Sequence, residues 1–118
     1  IRKVNSAGII STIAGSSIGG YKGDGSPATK AELSSPSAMA IDASGNFYIV
    51  DSFNGYIRMV NTAGIISTLA GNGSFSYSGD GGPATAAGLY SPWGIAVDAS
   101  GKVYVTDFSN RVRVITLQ

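Results

Sequence analysis

The sequence contains neither cysteine nor histidine. Without cysteine the chain has no disulfide bonds and no thiolate chemistry. Without histidine it lacks the side chain that most often acts as a general base near neutral pH and that most often binds zinc. No nucleophile and base are recognisable as a pair. The sequence therefore predicts no catalytic residues, no metal site and no cofactor.

Charge and long apolar runs are also scarce. Charged residues make up 13% of the sequence, the net charge is +1, and Lys and Arg never form a long run. A nucleic-acid-binding protein normally carries a basic stripe that neutralises phosphates, so we expect no nucleic-acid partner. No stretch approaches the roughly 18 consecutive apolar residues of a membrane-spanning helix, so we predict no membrane span.

Apolar residues and glycine, in contrast, are plentiful. Hydrophobic residues make up 43% of the 118 residues, which excludes a disordered polar chain, and 17 are glycine. So many glycines indicate tight turns between short strands. The length is that of one domain or a part of one. The sequence starts without Met or a signal-peptide pattern, so we expect residue 1 not to be the natural start.

The sequence repeats itself after about 56 residues. IRKVNSAGIISTIAG, at residues 1–15, returns as IRMVNTAGIISTLAG at residues 57–71. LSSPSAMAIDASGNFYIVDSFN, at residues 33–54, returns at residues 89–110 with mostly conservative substitutions. A fixed period of this length marks a repeat architecture.

Each repeat predicts four short strands joined by tight turns. In the more complete copy the predicted strands are residues 38–41, 47–50, 56–60 and 65–70. We expect the first to be buried on both faces because it is wholly apolar, and the third to be half exposed because polar residues alternate with apolar ones. The predicted fold class is all-β, with antiparallel four-stranded propeller blades and two repeats in the chain.

The same residues carry a resemblance to a known family. SPSAMAIDASGNFYIVDSFNGYIRMVN is similar to the NHL repeat, one blade of a six-bladed β-propeller, and AGNGSFSYSGDGGPATAAGL resembles a link between NHL blades. The resemblance covers nearly the whole chain and implies the propeller fold. It does not select one function, because such propellers include enzymes, receptors, RNA-binding proteins and scaffolds.

Two activities of these propellers do not carry over. The zinc-dependent amidating lyase of the NHL family uses histidine ligands, which this sequence lacks. Related calcium-dependent lactonases need acidic and Asn ligands on the inner strands, where this chain has Ala38, Met39 and Ala40. We therefore predict that the chain is not an enzyme. The resemblance also implies a secreted or cell-surface location.

The position of each segment within the repeat divides the chain into four parts. Residues 1–35 are the third and fourth strands of a split blade plus a connector, and residues 36–70 are a complete blade. Residues 71–91 are a second connector, and residues 92–118 are the first three strands of another blade. This last blade needs a fourth strand, and residues 9–14 have the right sequence to supply it.

Two blades cannot close a ring, and they leave apolar flanks and strand edges bare. We therefore predict that three chains associate head to tail into a six-bladed ring, in which residues 9–14 of one chain complete the last blade of the next. The alternatives are a section of a longer propeller and an open filament. In a closed ring one copy of the third strand, residues 1–4 or 112–115, is surplus.

The connectors contain YKGDGSPAT at residues 21–29 and YSGDGGPAT at residues 77–85. They lack the GxxxxGK pattern of a phosphate loop and the alternating carboxylates of a calcium loop. We expect a structural inter-blade loop in which glycine takes backbone angles closed to other residues and proline starts a short helical turn. The loop residues are Gly23, Asp24, Gly25, Gly79, Asp80 and Gly81.

Other recurrent polar residues fit structural roles. Arg2, Arg58 and Arg113 recur on the third strand, where we expect a solvated charge or a charge partner between blades. A second set sits at turns, where an aspartate can accept hydrogen bonds from its own backbone. We interpret this set as turn residues rather than acid–base pairs or metal ligands: Asp42, Asp51, Asp98, Asp107, Gly45 and Gly101.

Aromatic residues stand out where the copies differ. Trp93 replaces Ser37 at the start of the first strand, where it can stack on a sugar ring or fill space between blades. Others lie on the connectors, where loop aromatics serve either recognition or loop packing. The candidate ligand-binding residues are Trp93, Tyr21, Tyr77, Phe75 and Tyr90.

Together these features predict a non-catalytic propeller module for binding or self-assembly. Its expected partner is another copy of itself or the rest of a longer propeller, with a protein or a glycan as a further partner. The alternatives are a lectin-like propeller and a section of a larger propeller enzyme.

Overall fold

The computed structural model describes residues 1–117 and contains three antiparallel sheets with three short 3₁₀ turns. In every sheet the strands lie in chain order, as in an up-and-down meander. The all-β prediction with propeller-type blades is confirmed. The strands are β1 (Arg2–Val4) and β2 (Ile10–Thr12); β3 (Pro36–Ile41), β4 (Phe47–Asp51), β5 (Tyr56–Val60) and β6 (Ile66–Ala70); and β7 (Gly94–Val97), β8 (Val103–Thr106) and β9 (Val112–Ile115).

Turn chemistry sets the register of the four-stranded sheet. Asp42 Oδ1 accepts hydrogen bonds from the N–H groups of Ser44 and Asn46 at 2.9 and 3.0 Å. Gly45 completes this turn with a φ of +92°, which costs glycine little. The turn places Ile41 opposite Phe47, and the ladder continues to the far end of β4.

The four-stranded sheet is apolar on both faces. On β4, Tyr48 and Val50 point toward the C-terminal sheet and pack with Val103 and Val105. Ile49 points the other way, because successive strand residues alternate between faces, and joins a second cluster with the first connector. The sheet is thus the middle layer of the structure.

The sheets at the two ends of the described chain have two and three strands rather than four. In the cluster that contains Ile49, Ala14 and Leu33 take the places that Ala70 and Leu89 take, one repeat later, in the cluster that contains Tyr48 and Val50. The hairpin of β1 and β2 therefore corresponds to the outer half of a blade that precedes β3–β6. The sheet of β7–β9 has the three inner strands of a blade and lacks the outermost one.

The prediction that the first strand is buried on both faces is wrong. Met39 and Ile41 are 38% and 60% exposed. Their partners on β4 are Ile49 and Phe47, so both side chains lie on the face that points toward the N-terminal hairpin. Within residues 1–117 the N-terminal sheet has two strands, β1 and β2, and it leaves these side chains exposed.

The prediction of a half-exposed third strand is also wrong for β5. Arg58, its central polar residue, is fully buried. The first connector crosses this face of the sheet and covers the guanidinium group. The charge of that group is paired with the carboxylates of Asp24 and Asp51.

Candidate strand-binding groove

The third-strand arginine and the connector aspartate meet in the first repeat. Arg58 Nη2 donates to Asp24 Oδ1 at 2.9 Å, and Nη1 donates to Asp51 Oδ2 at 3.2 Å and to the carbonyl oxygen of Glu32 at 3.1 Å. The ring of Tyr21 lies 4.8 Å from the guanidinium carbon. A buried charge is tolerated only when it is paired, so this cluster fixes the connector against the sheet.

The second repeat builds the same cluster nearer to the surface. Arg113 Nε donates to Asp80 Oδ1 at 2.8 Å, and its two Nη atoms donate to the carbonyl oxygens of Gly88 and Ser78 at 2.6 and 2.8 Å. The Tyr77 hydroxyl donates to Asp80 Oδ2 at 2.6 Å. Arg2, on the exposed strand β1, makes no salt bridge within residues 1–117.

In the first repeat a fourth strand lies between β5 and the connector. The N–H of Gly25 donates to the Ile66 carbonyl at 2.8 Å, and the N–H of Ile66 donates to the Ser26 carbonyl at 3.1 Å. The Thr68 hydroxyl donates to Asp24 Oδ2 at 2.7 Å and also shares a hydrogen bond with the Tyr21 hydroxyl. Backbone, apolar and hydroxyl contacts therefore all hold β6 in place.

In the second repeat the corresponding place is open. A cavity of about 810 Å³ lies between residues 81–84 of the second connector and β9; we call it the acceptor groove. The Gly81 N–H and the Gly82 carbonyl, which match the groups that bind Ile66, have no hydrogen-bond partner in the described part of the chain. Apolar side chains and the arginine cluster line the cavity, among them Leu69, Ala84, Val105, Ile115, Asp80 and Arg113.

Within a single chain residues 9–14 do not pair with β9, and the predicted pairing between chains stays a prediction. Ile10–Thr12 pairs with Arg2–Val4, with Thr12 opposite Arg2. All six residues of this hairpin are exposed. Strand β2, whose sequence matches the acceptor groove, therefore lies exposed in the N-terminal hairpin, whereas the groove lies beside β9 in the C-terminal sheet.

The candidate aromatic residues fall into separate places. Tyr21 stacks on Tyr56, with ring centroids 4.0 Å apart, and Tyr77 lies under the Arg111 guanidinium at 3.6 Å. Phe75 has a φ of +54°, and its ring lies 3.4 Å from where a Cβ on Gly55 would stand. Tyr21 and Tyr77 thus belong to the two arginine clusters, and Phe75 packs against the turn between β4 and β5 at Gly55.

Trp93 belongs to a different surface. It is 60% exposed, and its ring centroid lies 6.3 Å from that of Phe108, which is 61% exposed. Tyr90 is adjacent in the fold, because its carbonyl accepts the N–H of Phe108 at 2.8 Å. Sequence reasoning missed Phe108; its signal is an aromatic residue in the turn directly after Asp107, beside the start of a first strand.

The turn aspartates are occupied by local donors. Hydrogen bonds from the Ser100 hydroxyl, the Lys102 N–H and the Tyr104 hydroxyl lower the pKa of Asp98 to about 2. Burial opposes ionisation of Asp42, but hydrogen bonds from Asn46 and Tyr48 outweigh it and lower its pKa. Burial and the hydrogen bond to Asp42 raise the pKa of Tyr48 to about 12.

The second pair of turn aspartates has similar partners. Asp51 Oδ1 accepts the N–H of Ser34 at 2.7 Å, in addition to its contact with Arg58. Asp107 accepts the N–H groups of Ser109 and Tyr90 at 2.9 and 3.2 Å. Among residues 1–117 no group of three or more acidic side chains is placed to hold a metal ion, and no helix there is long and apolar enough to cross a membrane.

Antiparallel meander sheets packed face to face, with long connectors between the last strand of one and the first of the next, define a β-propeller section. The family model described as the Teneurin NHL domain matches residues 19–78, and the NHL repeat model matches residues 89–115. The chain belongs to the NHL-repeat family, and its first connector and complete blade are of the teneurin type.

Individual relatives agree with this assignment. Teneurin-4 of Homo sapiens is 37% identical over 102 residues, a match that covers 75% of this chain and 4% of that protein. A Bacteroides thetaiotaomicron structural genomics protein of unknown function superposes with a TM-score of 0.80 at 29% identity, over 96% of this chain and 28% of that one. An auxiliary nutrient binding protein from Bacteroides ovatus superposes with a TM-score of 0.72 at 26% identity, over 98% of this chain and 31% of that one. The chain thus spans about a third or less of the proteins it matches.

The buried arginine cluster predicts unequal effects of matched substitutions. Arg58→Met leaves the fully buried Asp51 carboxylate without its cation and should lower the free energy of unfolding by about 3–5 kcal/mol. Arg113→Met removes a pair whose aspartate is 57% exposed and stays in water, so it should cost clearly less than Arg58→Met. Urea unfolding followed by circular dichroism measures both; equal losses would contradict the assigned difference in burial.

The pKa of Tyr48 predicts a loss of stability in alkali. Because the folded state raises this pKa from 10.0 to about 12, the stabilisation is present below pH 10 and is lost as the pH rises from 10 to about 12. Tyr48→Phe should be less stable near neutral pH, since it loses the hydrogen bond to Asp42, and should show a shallower alkaline decline. Thermal unfolding across this range measures the effect, with exposed Tyr90→Phe as the control; parallel declines in Tyr48→Phe and wild type would refute it.

Proposed function

We propose that the chain is a non-catalytic NHL propeller module that works by joining further blades, and that its last blade takes a fourth strand from outside its own sheet. The observation that carries this proposal is the difference between the two repeats. The place beside β5 holds β6, whereas the matching place beside β9 is the open acceptor groove. An open strand edge with an apolar lining is a site for strand addition.

The two ends of the chain support head-to-tail association. The N-terminal hairpin exposes Ile9 and Ile10 (62% and 53%), and β9 exposes Val112 and Val114 (68% and 53%). Among the described residues the N-terminal sheet has only β1 and β2, which correspond to the two outer strands of a blade. The C-terminal sheet has β7 to β9, which correspond to the three inner strands. Burying such complementary apolar surfaces is the main favourable term in association.

Three chains of two blades each would give the six blades that the family resemblance implies, with cyclic closure. A section of a longer propeller uses the same groove, with the fourth strand supplied by the following repeat. The small share of each relative that this chain spans supports that alternative. An open filament follows if the rotation between chains does not close.

The mass of the chain in solution tests the proposal. Light scattering after size exclusion should give close to three times the 11.9 kDa chain mass, falling toward one chain on dilution. A series of ever larger species would favour the filament. A particle of one chain mass at every concentration would refute self-assembly.

A lectin-like function is a second candidate, supported by the exposed Trp93 and Phe108 pair. Paired exposed aromatic rings can stack on a sugar. The Bacteroides ovatus relative, described as an auxiliary nutrient binding protein, supports a ligand-binding role.

Trp93 is the only tryptophan, so its fluorescence reports directly on such binding. A glycan that binds should quench or shift this emission, and Phe108→Ala should weaken the binding at least about threefold with the circular dichroism spectrum unchanged. Phe53→Ala, which removes an exposed aromatic residue of the other repeat, is the control. If no glycan in a broad array changes the emission, this candidate is wrong.

A further inference from the structure

We infer that the acceptor groove selects a strand carrying a hydroxyl group, and that this strand is residues 10–14 of a second copy of this chain, recognised through Thr12 by Asp80 and Tyr77. The inference rests on the proposed function, since it names the partner strand and the residue that selects it. In the first repeat the place beside β5 is occupied by β6, and in the second repeat the matching place beside β9 is open.

The occupied repeat shows what the groove accepts. Its fourth strand reads Ile-Ser-Thr-Leu-Ala at Ile66–Ala70, and residues 10–14 read Ile-Ser-Thr-Ile-Ala. The two differ only by an exchange of Leu for Ile, which keeps the volume and the apolar character. Residues 10–14 therefore offer the same backbone groups and the same hydroxyl groups as β6, with apolar side chains at the same positions.

The register of the first repeat fixes where each residue would lie. There Thr68 lies opposite Arg58, and Ile66 lies opposite Val60. In the second repeat the same register puts Thr12 opposite Arg113 and Ile10 opposite Ile115. Ile10 is 53% exposed in its hairpin, whereas Ile66 is fully buried, so this transfer removes a large apolar side chain from water.

The connector tyrosine differs between the occupied and the open site. In the occupied repeat the Tyr21 hydroxyl is 3.5 Å from Asp24 Oδ2 and shares a hydrogen bond with the Thr68 hydroxyl. In the open repeat the Tyr77 hydroxyl donates to Asp80 Oδ2 at 2.6 Å instead. An incoming threonine hydroxyl thus finds two partners: a carboxylate oxygen that accepts its hydrogen bond and a tyrosine hydroxyl that can donate one to its oxygen.

A strand with an apolar side chain at this position adds no donor for Asp80 Oδ2. The carboxylate keeps its hydrogen bonds from Tyr77 and Arg113 but loses water on the side that the strand covers, which carries a desolvation cost. Serine and threonine meet the requirement, whereas valine has the shape of threonine without the hydroxyl. The groove therefore discriminates by chemistry as well as by shape.

The strand that gives way is β1 rather than β9. Strand β9 is held by the contacts of Arg113 with Asp80, Gly88 and Ser78, all of which would be lost if a whole hairpin replaced it. Strand β1 has only three residues, all exposed, and its arginine makes no salt bridge in the described residues. Residues 10–14 of the incoming copy therefore separate from Arg2–Val4 of their own chain. They pair instead with Val112–Ile115 of the accepting copy.

The test compares Thr12→Val with Thr12→Ser in the full chain, by sedimentation across a range of concentrations. Thr12→Val should weaken association roughly three- to tenfold, and Thr12→Ser should stay near wild type. Because Thr12 is exposed in its hairpin, neither change should alter the circular dichroism of the unassociated chain. Ser11→Ala, at the neighbouring exposed position, is the matched control and should associate like wild type.

The outcomes separate the inference from the proposed function. If the wild type associates and Thr12→Val associates equally well, hydroxyl selection is wrong and strand addition stands. If the wild type never associates, a synthetic peptide of residues 8–15 is added. Binding of that peptide would overturn the second copy as the donor and keep the groove as a strand site, whereas no binding would overturn both proposals.

Discussion

The ion pair between a third-strand arginine and a connector aspartate is the contact on which the architecture depends. Connector and sheet are separate stretches of chain, and the guanidinium of Arg58 is bound from both: by Asp24 above and Asp51 within the sheet. Once the connector is fixed there, its backbone forms the far wall of the slot that holds β6. The same arginine–aspartate contact in both repeats thus borders the place for the last strand of a blade. Each GDG loop supplies the carboxylate of this contact, Asp24 in the first repeat and Asp80 in the second.

The sequence predicts the strands well because each one depends on local information. Period-two alternation, Asp-x-x-Gly turns and the internal repeat place β3 to β6 within about two residues of their observed bounds. The glycines around Asp24 do take positive φ, and a short 3₁₀ turn follows Pro27, as the loop sequence predicts. None of these features requires knowledge of distant residues.

What the sequence does not predict depends on contacts between distant segments. Alternation on β5 predicts an exposed Arg58, but a connector more than 20 residues earlier covers it. A uniformly apolar β3 predicts burial, but within residues 1–117 the two-stranded N-terminal hairpin leaves Met39 and Ile41 exposed. The pairing of Arg58 with Asp24 could have been inferred, since both residues recur together in the second repeat; the pairing of Trp93 with Phe108 has no such repeat.

The acceptor groove lies within a blade rather than between blades, and this position has a consequence for how repeat proteins of this kind change over time. A joint between blades is held mainly by side chains, so substitutions among those side chains weaken it. A strand added within a blade is held largely by peptide groups, whose hydrogen-bonding pattern every sequence shares. Duplication or loss of whole repeats can therefore preserve such a joint while the side chains around it diverge.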